Sequence, residues 1–275
     1  DPIARDRLRR LIQPFLLRRL KSGVLRDLPS RTEINLSVEL SEEEAAFYEA
    51  LRSRAVEELT TGNTAKKTKD DPGKKAFQIL AELTRLRRAC CHPSLVDPKI
   101  GNTISGSKLA AFTETVDEIL AGRHKVLVFS QFVDHLALIR AELDRNSISY
   151  QYLDGSTPAK KRKEAVDAFQ RGEGDVFLIS LKAGGFGLNL TAADYVIHMD
   201  PWWNPATEDQ ASDRAHRIGQ TRPVTIYRLI TKGTIEEKIV SLHHQKRELA
   251  ESLLAGSEDA NVRLSPEDLL DLIRE

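Results

Sequence analysis

The sequence predicts an α/β fold with a mostly parallel sheet covered by helices on both faces, and three observations carry that expectation. From residue 107 onward, apolar strand-like runs alternate with amphipathic stretches of helix length, joined by short connections, the pattern of βαβ units. Val176-Phe177-Leu178-Ile179 and Tyr195-Val196-Ile197-His198-Met199 read as strands buried on both faces. Between them lies a loop carrying Gly184, Gly185 and Gly187, residues that let a backbone approach a ligand closely.

Taken in order, residues 1–30 hold Leu8, Leu11, Ile12, Phe15, Leu16 and Leu17 among basic residues, a packing segment interrupted by Pro14 and ended near Gly23 and Pro29. Glu33 to Leu40 alternates as a strand, and Ser41 with Glu44 makes a capping box for a helix over 42–60. Thr61 to Lys75 has the Gly, Pro, Asn and Lys content of a loop. A helix over 76–91 follows, with Phe77, Leu80, Leu83 and Leu86 on one stripe. Two helices bracketing a basic loop make an αα-hairpin, either a packing element or a protrusion.

Beyond it, strands are expected at Lys125–Phe129, Tyr150–Leu153, Val176–Ile179, Tyr195–Met199 and Val224–Ile230, and helices at 107–121, 132–145, 158–171, 205–217 and 234–254. Thr234 is a natural N-cap for the last of these, with Glu236 and Glu237 in its first turn. Ser257 to Glu275 reads as a polar tail with a short helix.

Forty-one basic and forty-one acidic residues cancel, so any nucleic-acid contact must come from local patches such as Lys66 to Lys75 or Lys160 to Lys163. The two cysteines, Cys90 and Cys91, are adjacent, which is poor disulfide geometry and points to reduced thiols. With His92 they lack structural-zinc spacing, so no metal site is expected. The absence of a membrane-length apolar run or signal pattern predicts a soluble, intracellular protein with no membrane partner.

Two stretches imitate nucleotide motifs. Gly101 to Lys108 nearly spells a phosphate-binding loop, but its last two residues are reversed and Pro98-Lys99-Ile100 is no buried strand to launch it. Val116-Asp117-Glu118 resembles a magnesium-binding acid pair, yet Leu109, Phe112, Val116, Ile119 and Leu120 follow helical spacing. No other segment offers a phosphate-cradling lysine or magnesium carboxylates, so a complete nucleotide hydrolase cannot be assembled from these residues.

After the turn signals Asp200-Pro201 and Asn204-Pro205, Gln210, Arg214 and Arg217 fall at spacings of four and three on the expected helix. Paired arginines often decorate a solvated helix face. Behind a glycine loop and two strands, however, they suit phosphate handling, with backbone amides near the anion and guanidinium groups neutralising charge.

LISLKAGGFGLNLTAADYVIHMDPWWNP with DQASDRAHRIGQ resembles motifs V and VI of the Swi/Snf-type ATPases of helicase superfamily two. VLVFSQF is similar to motif IV, YLDGS to the motif after it, and PFLLRRLKSGVLRDLP to the block that closes the family's first lobe. The resemblance implies a RecA-like second ATPase lobe at 107–255, preceded by the end of the first lobe or linker at 1–40 and a helical protrusion at 41–106, and followed by a tail at 256–275. The chain is then expected to begin inside a larger protein.

By that resemblance Arg214 and Arg217 face the γ-phosphate, with Arg217 the arginine finger, Gln210 a polar neighbour and Gly187 close to the nucleotide. Ser130, Gln131, Gly155, Ser156, Ser180, Lys182 and Trp203 are the implied DNA contacts, although a lone Trp such as Trp203 is also a common core residue. The implied ligands are ATP with Mg2+, held mainly by the first lobe, and double-stranded DNA. The first RecA-like lobe is the implied protein partner. The implied setting is cytoplasmic and nucleoid-associated in a prokaryote, nuclear in a eukaryote. Without its first lobe the chain is expected to be inactive. A non-catalytic binding module of the same fold and a lobe of a strand-separating helicase are the alternative readings.

Overall fold

Alternation along the central strands decides the layering. The computed structural model describes residues 28–61, 72–100, 104, 106–183, 187–243 and 266–274. One sheet contains β1 (Arg31–Val38), β2 (Val126–Ser130), β3 (Tyr150–Leu153), β4 (Val176–Ser180), β5 (Tyr195–His198) and β6 (Val224–Thr231). The order is β1-β6-β5-β2-β4-β3, and every neighbouring pair is parallel. β2 and β4 are buried along their whole length, as their continuous apolar sequence requires.

The described helices are α1 (Glu42–Thr61), α2 (Pro72–Cys91), α3 (Ser107–Ala121), α4 (Val133–Arg145), α5 (Ala159–Gln170), α6 (Pro205–Ser212), α7 (235–243) and α8 (Pro266–Arg274). Val126, Val128, Val176 and Leu178 turn toward Phe112, Val116 and Ile119 of α3 and Leu136, Ile139 and Leu143 of α4. Leu127, Phe129, Phe177 and Ile179 turn the other way, against Phe169 of α5 and Ala211 of α6. Successive residues therefore feed two cores, one on each face. Each fully buried Phe, Leu or Ile contributes about 1.5–3 kcal/mol.

The strands lie within about a residue of their expected bounds, except that β1 starts at Arg31. It pairs with β6 from Arg31↔Val224 to Val38↔Thr231, so part of the stretch read as linker is an edge strand of this sheet. Exposure along most of β1 reflects that edge position.

The capping box forms: Ser41 N–H donates to Glu44 Oε2 at 3.0 Å and Glu44 N–H to Ser41 Oγ at 3.2 Å. Glu44 Oε1 also accepts from Ser107 N–H at 2.9 Å, so one carboxylate serves the starts of α1 and α3. α2 begins at Pro72, earlier than expected, because proline is tolerated in a first turn whose N–H groups lack intrahelical partners. Its expected stripe is corrected: Phe77 is 73% and Leu80 43% exposed, while Ile79, Leu83, Leu86 and Cys90 are buried. At about 3.6 residues per turn, steps of three drift around the helix, so Phe77 and Leu86 face opposite sides.

The buried stripe packs with Tyr48, Leu51 and Ala55 of α1, Ile235 and Ile239 of α7, and Leu270 and Ile273 of α8. The tail helix thus locks onto the hairpin, with Arg52 Nη1 donating to Ile273 O at 3.1 Å and Arg274 O at 2.7 Å. The packing segment expected at 1–27, the basic loop expected at 62–71 and the expected continuation of the helix beyond 243 lie outside the described residues.

The described end of the phosphate-loop imitation, Gly106 to Lys108, is packing. A Cβ on Gly106 would sit 2.2 Å from the His92 ring, and Lys108 is buried with its ammonium 2.6 Å from Glu236 Oε1. Val116 and Ile119 are core residues of α3, as helical spacing predicts.

Candidate active site

Asn204 caps α6 by accepting from Ala206 N–H at 3.2 Å, with Pro205 in the first turn. The helix expected over 205–217 stops at Ser212. Arg214 N–H bonds Ala211 O at 3.1 Å and Ala215 N–H bonds Ser212 O at 3.1 Å, while the Arg214 carbonyl accepts from Leu190 N–H at 3.0 Å. These three-residue bonds tighten the chain into a turn. Arg214 and Arg217 therefore lie beyond the end of the helix that carries Gln210. They still converge, because Gly187, Gln210, Asp213, Arg214 and Arg217 line one open pocket of about 340 Å³.

Arg214 is only 5% exposed, and its Nε has no hydrogen-bond partner. Burial, reinforced by the charge of Arg217, lowers its pKa. A buried guanidinium with an unmet donor creates demand for an anion. Arg217 is exposed and donates from Nη1 to Gly187 O at 3.4 Å. Gly187 has φ +52, a left-handed conformation natural to glycine. Gly184 and Gly185 lie outside the described residues.

The turn is held by Gln220, whose Nε2 donates to Ala193 O at 2.8 Å, Ala215 O at 3.1 Å and Thr191 O at 3.2 Å. The Thr191 and Ala193 carbonyls precede β5 and the Ala215 carbonyl lies in the turn, so the arginine turn is anchored where the strand begins.

The implied DNA contacts gather where the strands end, as a parallel sheet dictates. Their exposure divides them. Ser130 is fully buried: its Oγ donates to Asp200 Oδ1 at 2.5 Å and accepts from Phe132 N–H at 3.1 Å. Ser180 is also buried, with Oγ accepting from Ala183 N–H at 3.4 Å. Both hydroxyls are turned inward and bonded to groups of the chain itself. Gln131 is half-buried, its N–H 3.3 Å from either Asp200 oxygen and its Nε2 without a partner. Gly155, Ser156 and Lys182 are exposed.

Ser156 donates from Oγ at 2.7 Å and from N–H at 2.9 Å to Asp154, and these bonds hold that carboxyl down at a pKa of about 2. Trp203 is half-buried against the hairpin core, its ring 5.3 Å from the Arg87 guanidinium. Its packing role is visible in the fold, as the core reading of a lone Trp allows.

Sequence periodicity gave no sign of Arg87, 2% exposed on α2. Its Nη2 donates to Pro201 O at 2.5 Å and lies 3.8 Å from Asp200 Oδ2, with Phe132 and Trp202 each 5.6 Å from the guanidinium. Burial raises the Asp200 pKa to about 6, against the lowering effects of Arg87 and Ser130. An arginine embedded in an apolar stripe is the signal that an acid waits opposite. Cys91, His135 and Asp200 also meet, with ligand atoms within 4.8 Å of one another. Three separate elements bring them together, so no local spacing announces the group. Arg87 already supplies a cation beside the carboxylate, and Ser130 and Gln131 occupy its oxygens.

Among the described residues no helix is long and apolar enough to cross a membrane. Residues 108–219 match the family described as helicase conserved C-terminal domain, and residues 3–95 the family described as SNF2-related domain. An uncharacterized ATP-dependent helicase of Mycoplasma genitalium is 39% identical over 269 residues, which is 97% of this chain but 25% of that protein, so the chain spans about a quarter of this curated relative. The Sulfolobus solfataricus SWI2/SNF2 ATPase C-terminal domain is 31% identical, with a TM-score of 0.63 covering 82% of this chain and 90% of that one. The SWI2/SNF2 ATPase core of the same organism, in complex with dsDNA, is 32% identical with a TM-score of 0.68, covering 98% of this chain and 54% of that one.

Proposed function

The chain belongs to the SWI2/SNF2 family of ATPases, and on that premise we propose that it is the second lobe of an ATP-dependent double-stranded-DNA translocase, supplying the arginine side of the nucleotide site and backbone contacts to DNA. One observation carries the reading. Arg214, buried with an unpartnered Nε, converges with Arg217 and Gly187 on an open pocket, while the only lysine in a phosphate-loop-like stretch is locked to Glu236. A half-site of this kind needs a second surface bringing the phosphate chain.

In this mechanism Arg217 reaches the γ-phosphate and neutralises charge that develops as the phosphoryl group is transferred to water. Arg214 binds the same phosphate from its buried position and orients it. Mg2+, when bound, would supply charge neutralisation to the phosphates, and among the described residues Asp213 is the one acid lining the pocket. A single carboxylate beside two arginines suits the arginine side rather than a metal cradle, so the ion belongs mainly to the first lobe.

Lys182, Ser156 and the Gly155 backbone meet DNA phosphates from the strand-end edge, with Gln131 behind them. Ser130 and Ser180 act one layer beneath by bonding the loops that bear these groups. Trp203 supports the same edge from its half-buried seat. Phosphate contacts of this type fix position on a duplex without reading sequence, which suits a motor that tracks along DNA.

The test is displacement of a third strand from a triplex by the intact two-lobed protein with ATP. A translocase displaces it and leaves the duplex paired; separation of a forked duplex, or no displacement with normal DNA binding, overturns the reading.

A further inference from the structure

The arginine turn is tied to the chain segment that enters the sheet ahead of it. His216, between Arg214 and Arg217, directs Nε2 to the carbonyl oxygen of Pro29 at 2.8 Å, and opposite a carbonyl that nitrogen donates. Ser30 O accepts from Val224 N–H at 2.9 Å, pinning the same segment to the start of β6. Arg31 then reaches α6, with Nη2 2.7 Å from Asp209 Oδ1 and Nη1 3.6 Å from Asp213 Oδ1. It also bonds Glu33 at 2.5 Å, and Arg228 joins Glu33 at 2.7 Å to the buried Glu208 at 2.8 Å. An unbroken line of charge-assisted bonds therefore runs between β1, β6 and α6.

We propose that His216 and Arg31 form a latch that sets the position of Arg214 and Arg217 according to the position of the segment entering β1. Both are positioning residues, acting through the arginines. The latch rests on the reading above, in which those arginines meet a phosphate.

Two physical features carry it. The turn keeps only part of a helical ladder, three-residue bonds at Arg214 and Ala215 beside one four-residue bond from His216 N–H to Ser212 O at 3.1 Å, so outside bonds add to its hold, and the His216 ring bond enters it between the two arginines. Asp213 lines the pocket beside both arginines and would weaken their attraction for an anion; Arg31 also draws on that carboxylate, at 3.6 Å. The segment at residues 28–31 lies within the stretch matching the SNF2-related domain, whereas the arginines lie within the helicase C-terminal match. A displacement of the entering segment is thereby transmitted across a few bonds to the guanidinium groups.

The experiment uses the intact two-lobed protein and compares His216→Ala, His216→Gln, Arg31→Met and the control Arg217→Ala. ATP turnover is measured with saturating duplex, together with KM for ATP and amide hydrogen exchange over residues 28–32 and 213–218. A misplaced reacting group costs roughly 10- to 100-fold, so kcat falls at least about 10-fold in His216→Ala and Arg31→Met. KM for ATP stays within about 2-fold because the phosphate chain is held mainly by the other lobe. Exchange rises in both segments together. His216→Gln, which keeps a donor for Pro29 O, recovers most of kcat. Combining His216→Ala with Arg31→Met costs less than the product of the single losses, because both act through one turn.

Normal kcat in His216→Ala beside an inactive Arg217→Ala overturns the latch alone, as does increased exchange without loss of turnover. Equal loss in the Gln and Ala variants overturns the assigned donor role. Normal turnover in Arg217→Ala overturns the functional reading itself, and the latch role with it.

Discussion

Arg217 Nη1 meets the carbonyl of Gly187 at 3.4 Å across 30 residues of sequence, fastening the arginine turn to the glycine loop. The carbonyl is presented from a backbone with φ +52, and a Cβ there would meet nothing within 4 Å. Substitution is therefore opposed by backbone strain rather than by a clash. Gly187→Val is expected to shift the loop and lower ATP turnover roughly 10- to 100-fold by displacing Arg217. Duplex affinity, carried by the strand-end edge, should stay within about 2-fold. Turnover measurements and a duplex titration check this, and unchanged turnover contradicts it.

Duplex binding should weaken steeply with salt and differ little between unrelated sequences, because phosphate contacts release counterions. Lys182 is exposed beside the end of β4, and Lys182→Ala should reduce the slope of log K against log salt by about 1. Ser130→Ala tests the buried hydroxyl. It should leave that slope unaltered while lowering stability by about 1–3 kcal/mol, since Asp200 loses a donor.

Lys108 and Glu236 form an ion pair with both side chains at or below 1% exposure, linking α3 to α7. Removing one partner, as in Lys108→Met, leaves a buried charge alone and should destabilise the protein by about 3–5 kcal/mol in urea unfolding. Lys108→Met with Glu236→Gln should cost less than Lys108→Met alone. If the double variant is the less stable, the pair is not the reason Lys108 is buried.

Two buried histidines give the acid response its sign. Burial lowers the pKa of His135 to about 3 and of His198 to about 4, below the usual value of 6.5. Their contribution to stability is fully present above pH 6.5 and is lost as pH falls, through about 4 for His198 and about 3 for His135, because the unfolded chain takes up protons first. His135 makes no hydrogen bond through either ring nitrogen, so His135→Leu removes a titrating group without orphaning a partner. The stability lost between pH 7 and pH 5 should shrink by on the order of 2 kcal/mol. An unchanged loss would show that His135 does not titrate in the unfolding transition.

The sheet was legible because β2, β4 and β5 carry runs that only a doubly covered strand can bury, and Ser41 with Glu44 marked the start of α1 by local chemistry alone. What escaped depends on groups distant in sequence. Nothing near Ser212 announces the end of α6: the Arg214 carbonyl is drawn to Leu190 and the turn is fixed by Gln220. Likewise Ser130 looks like an exposed hydroxyl at a strand end until Asp200, 70 residues away, is seen to accept its proton. The arginines, Gln210 and Gly187 were legible as a group, since order along the chain and the glycine loop point to one pocket. Arg31 and His216 were not, because their partners lie 178 and 187 residues away.

Steady-state ATP hydrolysis by the intact two-lobed protein, with and without duplex DNA, beside its Arg217→Ala form and this 275-residue chain alone, tests the central claim most directly. The account predicts turnover stimulated by duplex in the intact protein, a loss of roughly 10³-fold or more in Arg217→Ala, and none from the chain by itself. Hydrolysis by this chain alone, or near-normal turnover in Arg217→Ala, would contradict it.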